Sequence, residues 1–240
     1  MKKSIVIIAS LITILFINSC QLKDKKNIKV KVKYSGALKT ILSGDIHSVI
    51  SLDSLNKKNL YALGAVENLK GEIQIFESQP SNSYVINDSL QINDSYNIKA
   101  SLLVYAVVED WNTFKIENIK TKTDLEDRIF SIAKSNGIDV ENPFPFLLEG
   151  SIASIDWHVI NWKDNDKIHT HKKHKESGLK GNLENKEVQI IGFYSTKHKA
   201  VFTHHTTNIH LHFKTKDNTV AGHIDDLLFD NEITLKLFRK

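Results

Sequence analysis

The run Ile209-His210-Leu211-His212-Phe213 leaves the chain little choice of local structure. Apolar and polar residues alternate strictly, which is the period of a half-buried strand and not of a helix. In a strand, residues two apart face the same side. His210 and His212 therefore project together from one face, while Ile209, Leu211 and Phe213 enter a core on the other. Lys216-Asp217-Asn218-Thr219 reads as a turn, and Val220-Ala221-Gly222-His223 as the returning arm. A hairpin of these arms brings His223 beside the first two imidazoles. Three imidazoles on a rigid strand pair suit a zinc-type site with one coordination position open. Gly222 would let backbone approach closely there. The same pattern also fits an exposed His-x-His pair on a surface strand, with His223 unrelated.

The rest of the chain mixes strands with a few helices. Ala37–Leu42 reads as a short helix. Tyr61–Glu77 reads as a hairpin, with Glu72 opening its second strand; Ile73 and Ile75 point one way, and Glu72, Gln74 and Phe76 the other. Ala100–Trp111 is β-branched and aromatic, a buried strand. Thr121–Asn136 is the clearest helix, capped by Thr123 or Asp124 and ended by Asn136-Gly137. Pro143-Phe144-Pro145 reads as a joint between two lobes. Phe146–Ile152, Ile155–Trp162, Glu187–Tyr194 and Ile233–Phe238 read as strands. Residues 163–182 hold His169, His171 and His174 and read as a mobile, solvated basic loop; a metal-collecting loop is the alternative.

Met1–Ile17 has two lysines and then a nearly unbroken apolar run, followed by Asn18-Ser19-Cys20. This predicts an export signal, too short for a stable membrane span. A small residue followed by the only cysteine resembles a bacterial lipobox. That implies a signal peptide over 1–19, lipid on Cys20, a lysine-rich tether over 20–35, and an exported protein anchored to a bacterial membrane, at the periplasmic face or cell surface. An ordinary signal peptide with an incidental cysteine is the alternative. The charge, 32 basic against 28 acidic side chains with two of the lysines in the leader, is too balanced to argue for a nucleic-acid partner.

Five stretches, in order, resemble the acetolactate decarboxylase family over roughly residues 36–228. They are Gly64-Ala-Val-Glu-Asn-Leu-Lys-Gly-Glu72, the strand 101–108 with its following helix, Leu147-Leu-Glu-Gly150, Ile190-Ile-Gly-Phe193, and His210-Leu-His-Phe213 with Asp217 and Gly222-His223. The resemblance implies decarboxylation of 2-acetolactate to acetoin at a zinc held by His210, His212 and His223, with Glu72 lining the site and handling a proton. It also implies a homodimer. Two family features are displaced. The family's arginine aligns with Leu147, for which His158 is the candidate stand-in, and a family glutamate from the C-terminal tail has only Glu232 to correspond to.

The expected fold is α+β: a mixed-sheet lobe with helices over 36–142, then a mostly antiparallel β lobe over 143–240 carrying the metal site. The expected function is a carboxy-lyase using Zn2+ or another divalent metal on a small oxo or hydroxy acid. The alternatives are an enzyme of the same fold with changed chemistry, or a non-catalytic metal-binding surface lipoprotein. If the family mechanism is latent, Leu147→Arg should raise turnover.

Overall fold

The computed structural model describes residues 30–240. The signal peptide expected over 1–19, Cys20 and most of the tether lie outside the described residues. The first sheet is built from β1 (Lys33–Ser35), β2 (Ile50–Ser51), β3 (Leu60–Val66), β4 (Glu72–Phe76), β5 (Gln79–Pro80), β6 (Asn82–Ile86), β7 (Ser89–Asn93) and β8 (Lys99–Val107). A short helix α1 (Leu38–Leu42) follows β1. The strand order is β1-β8-β3-β4-β6-β7, with β2 also on β8 and β5 on β4.

The second sheet takes β9 (Trp111–Ile116), β10 (Phe144–Val159), β11 (Leu179–Tyr194), β12 (Ile209–Thr215), β13 (Ala221–Leu228) and β14 (Ile233–Phe238), with α2 (Lys122–Ser135) and α3 (His171–Glu176) between strands. Its order is β11-β12-β13-β10-β14-β9, and β11 also pairs with β10. The pairings β10–β11, β11–β12, β12–β13 and β13–β10 therefore close a ring. Every pairing between these strands is antiparallel, so the α+β class holds while the first sheet is antiparallel throughout and not mixed.

Three apolar layers follow from strand alternation. Inside the ring lie Phe146, Leu148, Ile190, Leu211, Phe213 and Ile224, closed over by Leu125, Ile129 and Ala133 of α2. Between ring and first sheet lie Leu63, Phe76, Leu102 and Val104 against Leu147, Ile191 and Phe193. Ile73, Ile75 and Leu103 fill the far face of the first sheet. The histidine face of β12 thus looks into the layer between the two sheets, and not into solvent.

Several expectations change in detail. The switch between sheets falls between Val107 and Trp111, not at Pro143–Pro145, where β10 simply begins. Because β9 and α2 pack on the second sheet, the sequence before Pro143 does not form a self-contained lobe. The two strands expected over 146–162 are one bent strand, β10. Its first half pairs with β14 and its second with β13. The cap of α2 is Thr121, whose hydroxyl accepts from the Asp124 N–H at 3.0 Å while the Asp124 carboxylate accepts from the Thr121 N–H at 2.9 Å.

Candidate metal centre

The alternation of β12 does what its residues require: Ile209, Leu211 and Phe213 fill the ring, and His210 and His212 face outward to the first sheet. Register then selects their neighbours. His212 lies opposite His223 on β13, and His223 lies opposite His158 on β10. Ring centroids of His210, His212 and His223 are 5.0, 5.1 and 5.3 Å apart. A ligand nitrogen from each lies within 4.8 Å of the other two. His210 Nδ1, His212 Nε2 and His223 Nδ1 are buried without a hydrogen-bond partner.

Leaving three buried polar atoms unpaired costs about 1–3 kcal/mol each, so their convergence points to an occupant. Burial, reinforced by crowding among the rings, keeps them neutral. His212 is lowered to about 3, and His210 and His223 sit well below the usual histidine range. A neutral imidazole with a free lone pair is the form a divalent metal takes. The residues therefore fit a three-histidine cation.

The opposing sheet supplies the support. Gln74 Oε1 lies 3.2 Å from His212 Nδ1, so Nδ1 carries the hydrogen and Nε2 is left to coordinate. The Gln74 amide is itself held by the Ser81 carbonyl and by Ser83 Oγ at 3.1 Å. The Phe202 backbone opposes the lowering of His210 but does not outweigh its burial. Gly222 permits the close packing behind His223, but against protein: a Cβ there would meet the His158 carbonyl oxygen at 2.7 Å.

Glu72, only 5% exposed, comes from β4. Its Oε1 accepts from the Ile160 N–H at 3.2 Å, and its carboxylate oxygens stand 3.9 Å from His158 Nε2 and His212 Nε2. Burial raises its carboxyl well above the carboxylate range; the Ile160 N–H opposes this and Asp225 adds to it. His158 Nδ1 lies 3.1 Å from Asp225 Oδ1, and Lys175 Nζ lies 3.1 Å from Asp225 Oδ2. Burial alone would raise Asp225, but these partners hold it below the usual range.

These groups line a cavity of about 340 Å³, with Leu38, Ile41, Leu69 and Ile160 as its apolar wall. Across its mouth lies the segment expected as a mobile loop. It instead carries α3, capped by Thr170, and Leu179 already begins β11. His169 stacks on Trp162 at 4.5 Å and its Nδ1 lies 3.0 Å from His174 Nε2. His174 is buried and lowered to about 4, by burial first and then by His169. The Trp162 anchor lies outside the polar run, which is why hydropathy within the run suggested a solvated loop.

The remaining candidates lie elsewhere. Leu147 does not line this cavity; it borders a separate one with Tyr61, Phe76 and Trp111. Glu232 pairs with Lys115 at 3.0 Å, half-exposed. Asp217 is bound by Thr215 and Thr219 and only shapes the hairpin turn. Sequence reading missed Gln74 and Asp225, although each lies two residues from a candidate on the same strand face, Gln74 from Glu72 and Asp225 from His223.

A profile of the family described as Alpha-acetolactate decarboxylase matches residues 33–239. Among solved structures, alpha-acetolactate decarboxylase from Bacillus subtilis strain 168 superposes with TM-score 0.72 at 16% identity, covering 88% of this chain and 86% of that one. The enzyme from Bacillus subtilis subspecies spizizenii gives 0.71 at 15% identity over 88% and 87%. A Staphylococcus aureus protein of unknown function, similar to alpha-acetolactate decarboxylase, gives 0.69 at 12% identity over 87% and 86%. At these identities the superpositions establish a shared fold. No curated protein sequence matches.

Proposed function

The chain belongs to the alpha-acetolactate decarboxylase family, and on that premise we propose that it is a metal-dependent carboxy-lyase that converts 2-acetolactate, or a closely related 2-hydroxy-3-oxo acid, to the acyloin and CO2. The observation that carries this reading is the convergence of three unpaired, neutral imidazole nitrogens beside a buried, proton-retaining carboxyl. A divalent cation, zinc by preference, held by His210, His212 and His223 would supply Lewis acidity toward the substrate's carbonyl and hydroxyl oxygens.

The chain's own groups account for the rest. When the carboxylate leaves as CO2, the bonding pair passes to the adjacent carbonyl as an enolate. Re-forming the C–H bond then needs one proton at carbon, and the Glu72 carboxyl holds one within the cavity. The Ile160 N–H fixes that carboxyl. Asp225 anchors His158 by Nδ1, which turns Nε2 toward Glu72. The apolar wall from α1 and Ile160 limits water around the reacting atoms. Leu147 lies away from the cavity and His158 is the polar residue of β10 that lines it, but no arginine is among the lining residues, so an enzyme of the same fold with changed chemistry is the second reading.

Metal analysis of the purified protein and an acetoin assay on racemic acetolactate test this together. The expected result is one tight equivalent of metal and acetoin formation, both lost in His212→Ala. Tight metal without acetoin overturns the reaction; metal retained in His212→Ala overturns the site. Export and lipid anchoring at Cys20 are part of the proposal. Cys20→Ser should move the protein from the membrane fraction to the soluble one, and unchanged fractionation would remove the anchor.

A further inference from the structure

Histidines that the triad does not use gather at the mouth of its cavity. Resting on the reading of His210, His212 and His223 as ligands, we infer that His171, His204 and His205 form a second, weaker divalent-cation site through which the buried triad is loaded.

His171 comes from α3, and His204 and His205 from the segment before β12. The His171 ring centroid is 4.7 Å from that of His204 and 6.0 Å from that of His205. The inner triad is spaced at 5.0–5.3 Å. Two imidazoles bound near-tetrahedrally to one cation through short metal–nitrogen bonds place their centroids about 5 Å apart, so His171 and His204 have the spacing of a ligand pair. His205 stands wider and must close on that pair, and the three do not converge as the inner triad does, which makes the outer set the weaker binder. Among the described residues, no side-chain hydrogen bond or ion pair occupies these three imidazoles. His169 and His174 differ, being hydrogen-bonded to each other at 3.0 Å.

His204 also faces inward, with its ring 6.0 Å from His223 and 6.5 Å from His210. Imidazoles therefore run stepwise from exposed His205 to the buried triad. A hydrated cation cannot reach that triad without losing water, and desolvating an ion without replacement ligands is expensive. Imidazoles at the mouth replace that water in stages.

The test is a titration of the metal-free full chain, in detergent, with Co2+, followed by absorbance. The wild type should bind one tight equivalent and one at least about tenfold weaker. His171→Ala/His205→Ala, with His171→Gln/His205→Gln as a size-conserving control, should lose the weak equivalent and keep the tight one. In stopped-flow at limiting Co2+, both should load at least about tenfold more slowly. His212→Ala should lose the tight equivalent and keep the weak one. A wild type with only the tight equivalent, or a double variant that loads at the wild-type rate, overturns the outer site. A wild type with only the weak equivalent overturns the triad reading and the loading role with it.

Discussion

Glu72 stores a proton beside a triad whose imidazoles burial keeps neutral, and its substitution separates chemistry from stability. Glu72→Gln keeps the acceptor for the Ile160 N–H but cannot release a proton, so turnover should fall on the order of 100-fold or more while metal is retained. The stability sign is opposite. Burial raises the folded carboxyl above the unfolded value of 4.5, so its contribution is complete below about pH 4.5 and is lost as pH rises through the raised value. In chelator, the variant's urea midpoint should exceed that of the wild type at alkaline pH and converge with it toward pH 4.5. A gap independent of pH would show that Glu72 is not protonated in the fold. Leu147→Arg, which the family resemblance suggested would raise turnover, now has a different expectation. Leu147 is 5% exposed between the sheets, so the larger charged side chain should cost about 1–3 kcal/mol without raising the rate. Increased turnover in that variant would return the position to the active site.

At the scale of elements, the β12–β13 hairpin was legible because its alternation is local: Ile209, Leu211 and Phe213 needed one core, and His210 and His212 had to share the other face. The same alternation placed Gln74 with Glu72. The start of β11 was illegible for the converse reason. From Leu179 to Glu184 the alternation is carried by only two leucines, both half-buried, and Asn185–Glu187 is exposed, so the period is too short to stand out beside the polar run before it, and the ladder with β10 is what makes it a strand. The hairpin's tolerance can be measured at Gly222. Gly222→Ala forces β13 away from the His158 carbonyl, and should cost about 1–3 kcal/mol and weaken metal binding in a chelator competition. Unchanged affinity would mean that His223 is positioned independently of the β10–β13 contact.

For the whole molecule, the site is a contact between two sheets, and its stability is tied to pH. His174 and His204 titrate at about 4 and His212 at about 3, against 6.5 when unfolded. Between those values the unfolded chain binds protons that the fold refuses, so stability is full above about pH 6.5 and is lost as pH falls toward the folded values. The urea midpoint of the metal-free protein should drop steeply between pH 6.5 and 4, and a flat profile there would mean that these imidazoles are not buried neutral.

Taken alone, the sequence determined the family, the α+β class, the three-histidine hairpin and the facing strand with Glu72, because strand period and hairpin turns are encoded within a few residues of one another. Only the tertiary structure decided that Glu72 meets His212, that α3 crosses the mouth, and that His158 and not Leu147 lines the cavity. Leu147 and His158 lie on the same strand, and nothing local to β10 distinguishes them as site residues. What separates them is that the first half of β10 pairs with β14 and the second half with β13, beside His223. That choice belongs to register between segments distant in the chain.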